Sequence, residues 1–403
     1  MRKTRNACIF FILLVLALGV RGQGQPDLAV LERKVEALRG LTFLSPVQVA
    51  YVDDAGMRAV VQGEITREYT AKEWPSMEET LKVFGLIPPK MNLRKQLDVL
   101  LDEQVVGLYD PHTGKLYVNR NPVDDGDLGS QLGLPDLHFT DVFLIHELDH
   151  ALTDQRFHLL SLPLEDRENE DRADAARCVV EGDATWVMLR YLYQLLQVKP
   201  DQRRNMSDLM TTMGIGQELM GASMPAYLQK NLLIAYLAGY RLVQAAYERG
   251  GFKAIDDLYL HPPRSMEQVL HPSRYFAGSD PPLPVEAELP VAWRKAGWNQ
   301  VSKGVWGEFN TKILLEEWGV AKDQANAASQ GWRGDRYVVG AGSGGGKGFV
   351  WNTVWDTDKD AQTFVSVVDK IPGLSVTRSG KRVTLNKGGP SSASQNPTET
   401  KVH

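Results

Sequence analysis

Phe139-Thr140-Asp141-Val142-Phe143-Leu144-Ile145-His146-Glu147-Leu148-Asp149-His150-Ala151-Leu152-Thr153-Asp154-Gln155 is the stretch whose reading decides the fold. Thr140 suits a helix cap, and Phe143, Ile145, Leu148 and Leu152 predict a buried helix. Inside it, His146-Glu147-x-x-His150 sets two imidazoles four residues apart, on one helix face. Two imidazoles so placed can share one Zn²⁺, with Glu147 beside the open coordination position. Histidines that face solvent or bond within the core are the alternative. The apolar flanks and the hairpin just upstream weigh against it.

Zinc lowers the pKa of a bound water toward about 7, and a carboxylate beside it can take the proton as that water attacks a carbonyl. The expected chemistry is therefore hydrolysis at a metal.

Outward from the helix, Val105 to Val118 holds two strand-like runs around Pro111-His112-Thr113-Gly114 and predicts a hairpin. Leu28, Leu31, Val35 and Leu38 predict a short amphipathic helix that stops at Gly40. Val47–Val52 and Arg58–Tyr69 are rich in β-branched residues around Asp53-Asp54-Ala55-Gly56 and predict a second hairpin. Ser76 with Glu79 predicts a capping box opening a helix over Met77–Phe84, and Asn92–Gln104 another helical stretch. Helical patterns dominate from Thr140 to Asn326, interrupted by a proline-rich stretch from Pro262 to Pro290. Residues 336–369 predict a hairpin followed by a helix.

The fold class expected is α+β, a mainly helical domain with a small mixed sheet plus a small C-terminal α+β region. The expected divisions are a signal peptide at 1–22, an α+β section at 23–104, a catalytic core at 105–280, a C-terminal region at 281–386 and a disordered tail at 387–403.

The chain has 403 residues, 45 Lys+Arg against 50 Asp+Glu and a net charge of -5. No basic block offers a footprint for nucleic acid, so that partner is not expected. Met1-Arg2-Lys3-Thr4-Arg5 followed by an apolar run from Ala7 to Val20 has the order of a secretory signal, too short to span a bilayer comfortably. Export to the periplasm or medium is expected, with cleavage near Gly22 and an uncleaved anchor as the alternative; no membrane span is expected in the mature chain. Cleavage removes four cations and no acid, leaving a net charge of -9. Cys8 leaves with the signal and Cys178 then stands alone, so no intramolecular disulfide forms.

His146-Glu147-Leu148-Asp149-His150-Ala151-Leu152-Thr153-Asp154 resembles the active-site helix of zincin metallopeptidases of the gluzincin branch. The preceding hairpin stands where such enzymes hold a substrate-binding strand. The succession of hairpin, motif helix, Glu181-Gly182-Asp183-Ala184-Thr185, Tyr236-x-x-Gly239 and Glu267-Gln268-Val269-Leu270-His271-Pro272 is similar to secreted bacterial proteins assigned as metallopeptidases. That likeness spans most of residues 100–370.

It implies a third zinc ligand from a later glutamate. Glu170 lies in Asn169-Glu170-Asp171-Arg172-Ala173-Asp174, similar to thermolysin's pattern; Glu181 lies 31 residues after His150 in an apolar helix. A ligand carboxylate needs a well-packed apolar setting, which favours Glu181 over Glu170 in its charged run. Asp183 and Asp154 are candidates to orient a ligand imidazole, and Cys178 is expected to be a small core residue. For the oxyanion, the resemblance offers Tyr236, with His271 as a second candidate.

Gly342–Gly348 lacks the first glycine of a phosphate loop and has Gly348 where Ser or Thr would hold Mg²⁺, so it is expected to be a flexible hairpin loop. Of the nine Trp residues, several stand at 293–355, and these are expected to pack the C-terminal region.

The sequence thus predicts an exported zinc metallopeptidase: His146, His150 and Glu181 on zinc, Glu147 as base, Tyr236 and His271 as oxyanion donors, and a peptide or protein substrate. The alternatives are a non-catalytic zinc-binding scaffold and a zinc amidase acting on cell-wall peptides.

Overall fold

In the computed structural model, residues 27–68, 70, 73–100, 105–120, 138–198, 224–278 and 281–390 are described. The signal-like segment and the tail from 391 lie outside them. The chain is α+β and divides into two compact units. One comprises the described residues up to 78 with 86–282; the other comprises 79–85 with the described residues from 283 onward.

The first unit opens with α1 (Leu28–Arg39), capped by the Asp27 carboxylate on the Val30 N–H and closed by Gly40 at φ 74°. β1 (Gln48–Val52) follows, then α2 (Asp54–Glu68), which replaces the predicted second hairpin strand. Met57, Val61 and Ile65 are buried at four-residue spacing, and Asp53 accepts the Gly56 N–H at 2.8 Å, so the Asp53–Gly56 run is a helix start and not a turn. α3 (Glu73–Phe84), whose residues from 79 onward belong to the second unit, begins earlier than the Ser76 box predicts. Thr70 and Glu73 form the cap there, the Thr70 N–H donating to the Glu73 carboxylate at 2.8 Å. α4 (Leu93–Leu100) is capped by Asn92.

β2 (Gly107–Asp110) and β3 (Lys115–Asn119) are the predicted hairpin, and β1 joins β3 in parallel to give the sheet order β1-β3-β2. α5 (Phe139–Phe157) is the motif helix; its N-cap is His138, without a side-chain hydrogen bond, so Thr140 falls inside the first turn. α6 (Glu170–Leu195) is buried over nearly its whole length. α7 (Ala226–Leu260) is broken at Gly250 and Gly251, where φ reaches 63°. Short helices α8 (Met266–Leu270) and α9 (Pro272–Phe276) complete the unit. Residues 144–153 of α5 are buried on every side, as in a helix enclosed within a core. No helix among the described residues is long and apolar enough to cross a membrane.

In the second unit, α10 (Val291–Lys295), β4 (Asn299–Gly304), α11 (Gly307–Glu317), α12 (Lys322–Ser329), β5 (Trp332–Ala341), β6 (Lys347–Trp355), α13 (Asp358–Val368), β7 (Leu374–Ser379) and β8 (Arg382–Gly388) build one antiparallel sheet of order β4-β5-β6-β8-β7 with its helices. β8 runs to Gly388, so residues 387 and 388 belong to the sheet and not to the expected disordered tail; residues 391–403 of that expectation lie outside the described ones. The glycine-rich segment is the turn between β5 and β6, as expected for a hairpin loop: residues 343–347 are exposed and a Cβ at Gly344 or Gly345 would meet nothing within 4 Å, while one at Gly342 would stand 2.6 Å from the Trp298 indole nitrogen.

Buried Asp335 organises this core. It accepts the Trp306 and Gly307 backbone N–H groups and the Trp332 and Trp351 indole N–H groups at 2.9–3.0 Å. Burial pushes its carboxyl upward against these four donors. Asp335→Ala strands all four. Since an unsatisfied buried donor costs about 1–3 kcal/mol, at least 3 kcal/mol of destabilisation is expected in denaturant unfolding followed by tryptophan fluorescence. A loss below 1 kcal/mol would show the network to be incidental.

Candidate metal centre

The middle of α5 supplies His146, Glu147 and His150, whose ligand atoms all lie within 4.8 Å of one another. All three are buried, His146 completely. Across from them α6 delivers Glu181. Its Oε2 lies 3.2 Å from His146 Nε2 and 3.6 Å from His150 Nε2, and the two imidazole nitrogens are 3.0 Å apart. Ligands at about 2.0–2.1 Å from one tetrahedral ion stand roughly 3.3–3.4 Å from one another, and these three atoms, at 3.0–3.6 Å, are close enough to share a single metal ion. Both Nδ1 atoms lie buried without a hydrogen-bond partner among the described residues, which leaves the Nε2 pair as the functional face of each ring.

Glu170 is the first residue of the same helix, eleven positions before Glu181 and therefore about 16 Å away along the axis. The Asn169-Glu170 pattern has a local cause: the Asn169 side chain caps α6 on the Arg172 N–H at 3.0 Å. Glu147 is held differently from the other three. Its Oε2 accepts the backbone N–H of Tyr109 on β2 at 2.7 Å, while Oε1 has no partner among the described residues. Gly107 allows this approach, because a Cβ there would stand 2.9 Å from Leu144.

α6 and α7 meet backbone to backbone. A Cβ on Gly182 would lie 2.3 Å from the Gly239 carbonyl carbon, and one on Gly239 would lie 2.2 Å from the Cys178 oxygen. Glu181 precedes one of these glycines, and Tyr236 stands one turn before the other. The contact therefore brings the Tyr236 hydroxyl into hydrogen-bonding reach of Glu181, with its ring 6.2 Å from that of His146. His271 closes α8 as its C-cap and stands immediately before α9. Asp154 and Asp183 serve neighbours other than the imidazoles. Asp154 accepts the Tyr109 hydroxyl and the Leu159 N–H, and Asp183 accepts Arg39 Nε and the Tyr259 hydroxyl. Cys178 is buried 3.6 Å from the Met266 sulfur, in the core.

Burial lowers His146 to about 4, helped by the charge of His150. At His150 burial works the same way, but the charge and hydrogen bond of Glu181 outweigh it and raise the imidazole to about 9. Burial raises Glu147 to about 7, against the pull of His150 and the Tyr109 amide. Burial would raise Glu181 too, yet the two imidazoles hold it below its ordinary value. In the metal-free protein the centre is thus an ionised Glu181 paired with a protonated His150, beside a neutral His146.

Residues 296–389 match the family model described as a domain of unknown function (DUF8575). No curated protein matches the chain. A crystal structure from Chloroflexus aurantiacus, described as "a putative hydrolase with a novel fold", aligns with 62% of this chain and 86% of that chain at 20% identity and a TM-score of 0.39.

Two predictions follow from the geometry. Gly239→Ala forces α6 and α7 apart; overpacking of this kind costs about 1–3 kcal/mol, and zinc capacity in equilibrium dialysis should fall with it. Retention of both stability and zinc would refute the close-contact account. The second concerns pH. His150 is raised above its ordinary 6.5, so the stability it lends the metal-free protein is present below pH 6.5 and lost as pH rises through 9. Glu147, raised from 4.5 to about 7, acts in the same direction. Metal-free protein should therefore melt at lower temperature at pH 9 than at pH 6.5, and metal binding should release about one proton near pH 8, read by calorimetry in two buffers. A melting temperature that rises over this range would contradict the assignment.

Proposed function

We propose that this chain is an exported zinc-dependent hydrolase that cleaves peptide bonds, with His146, His150 and Glu181 on the metal and Glu147 as general base. The observation that carries the reading is the convergence of three buried ligand atoms at 3.0–3.6 Å with a second carboxylate, that of Glu147, beside them. The amino-terminal order of charges and apolar residues supports export.

Zinc bound there would act as a Lewis acid toward a carbonyl group and toward water. The chain supplies the rest. The Tyr109 amide fixes one oxygen of Glu147 and leaves the other to take a proton and return it. In the metal-free protein burial raises Glu147 to about 7, so it changes protonation near neutrality. Burial and the neighbouring carboxylates keep the Tyr236 phenol protonated, a donor toward an oxygen that gains negative charge.

The test combines metal analysis with turnover on a protein substrate such as casein. The wild type should carry about one zinc per chain, His146→Ala should lose it, and Glu147→Gln should keep it while hydrolysis drops at least a hundredfold. Zinc retention in His146→Ala would refute the ligand set. Zinc without any wild-type turnover on peptides would refute the enzyme and leave a metal-binding scaffold.

A further inference from the structure

We infer that Arg39, at the end of α1, is a positioning residue of the metal centre, so that the first helix of the unit forms part of the site. The inference rests on the proposed ligand set.

The Arg39 side chain is fully buried. Its Nε donates to Asp183 Oδ2 at 2.8 Å, and one terminal nitrogen donates to Asp256 Oδ1 at 2.8 Å. Asp183 lies two residues beyond Glu181 on α6, and Asp256 lies beyond the glycine break of α7. One guanidinium thus joins the segment carrying a ligand to the far half of α7. Tyr259, from that same half, adds its hydroxyl to Asp183 at 3.1 Å and stacks on Phe157 of α5 at 4.6 Å. Gly40 completes the seat: a Cβ there would stand 2.6 Å from Phe252, and its φ of 74° favours glycine as well.

α5 and α6, which carry all three ligands, are both tied to this guanidinium, α6 directly through Asp183 and α5 through the stack of Tyr259 on Phe157. A planar fork can bridge two carboxylates, whereas the compact ammonium of lysine meets them as a point charge.

The experiment measures zinc dissociation constants by chelator competition for the wild type, Arg39→Met and Arg39→Lys, at a temperature where circular dichroism shows each metal-free protein folded. Partners that orient metal ligands are typically worth 10–100-fold in affinity. Arg39→Met should weaken zinc binding at least tenfold, with Arg39→Lys between it and the wild type. Loss of a cation by itself would tighten binding of Zn²⁺, so weaker binding reports lost geometry and not altered field. Affinity within twofold of wild type in a folded variant, or tighter binding in Arg39→Met, would overturn the inference. If Arg39→Met does not fold, Arg39→Lys decides alone on the same twofold limit. A wild type that binds no zinc would instead remove the ligand set on which the inference rests.

Discussion

Two imidazole nitrogens 3.0 Å apart, with a carboxylate oxygen 3.2–3.6 Å from each, are buried together only if positive charge lies among them. In the metal-free protein a proton on His150 fills that role; a divalent cation fills it better. The architecture of the first unit follows from holding these atoms in place. α5 is enclosed on every side, α6 is buried along nearly its full length, and paired glycines let α6 and α7 touch backbone to backbone. Such packing removes the freedom that would otherwise be lost each time a metal bound.

The edge strand β2 extends the same logic to Glu147. In an antiparallel pair, every second residue turns its N–H away from its partner strand. At Tyr109 that outward N–H meets Glu147, while the phenol reaches Asp154 two turns further along α5. One residue thus fastens the strand to the motif helix at both ends, and the carboxylate that would move the proton is fixed by backbone. A backbone donor cannot be removed by side-chain substitution, so this constraint persists through changes at position 109 that keep the strand in place.

Much of the centre was legible because its signals are local. Histidines four residues apart, apolar flanks and a Pro/Gly turn are read from neighbours in sequence, and burial separated Glu181 from Glu170 on composition alone. What was not legible depends on distance along the chain. The parallel pairing of β1 on β3 joins residues about 67 apart, and the bond from Arg39 to Asp183 spans 144 positions. Arg39 beside a terminal glycine looks like any solvated helix end. The β-branched residues of Arg58–Tyr69 suggested a strand, and the four-residue spacing of Met57, Val61 and Ile65 under an Asp53 cap overrode that propensity.

The central claim is that His146, His150 and Glu181 coordinate one zinc ion. X-ray absorption at the zinc edge of the purified, zinc-loaded protein tests it most directly. The account predicts four-coordination by nitrogen and oxygen at about 2.0–2.1 Å, with the multiple-scattering signature of two imidazoles that falls to one in His150→Ala. Sulfur at about 2.3 Å, or an all-oxygen six-coordinate shell without imidazole, would contradict it.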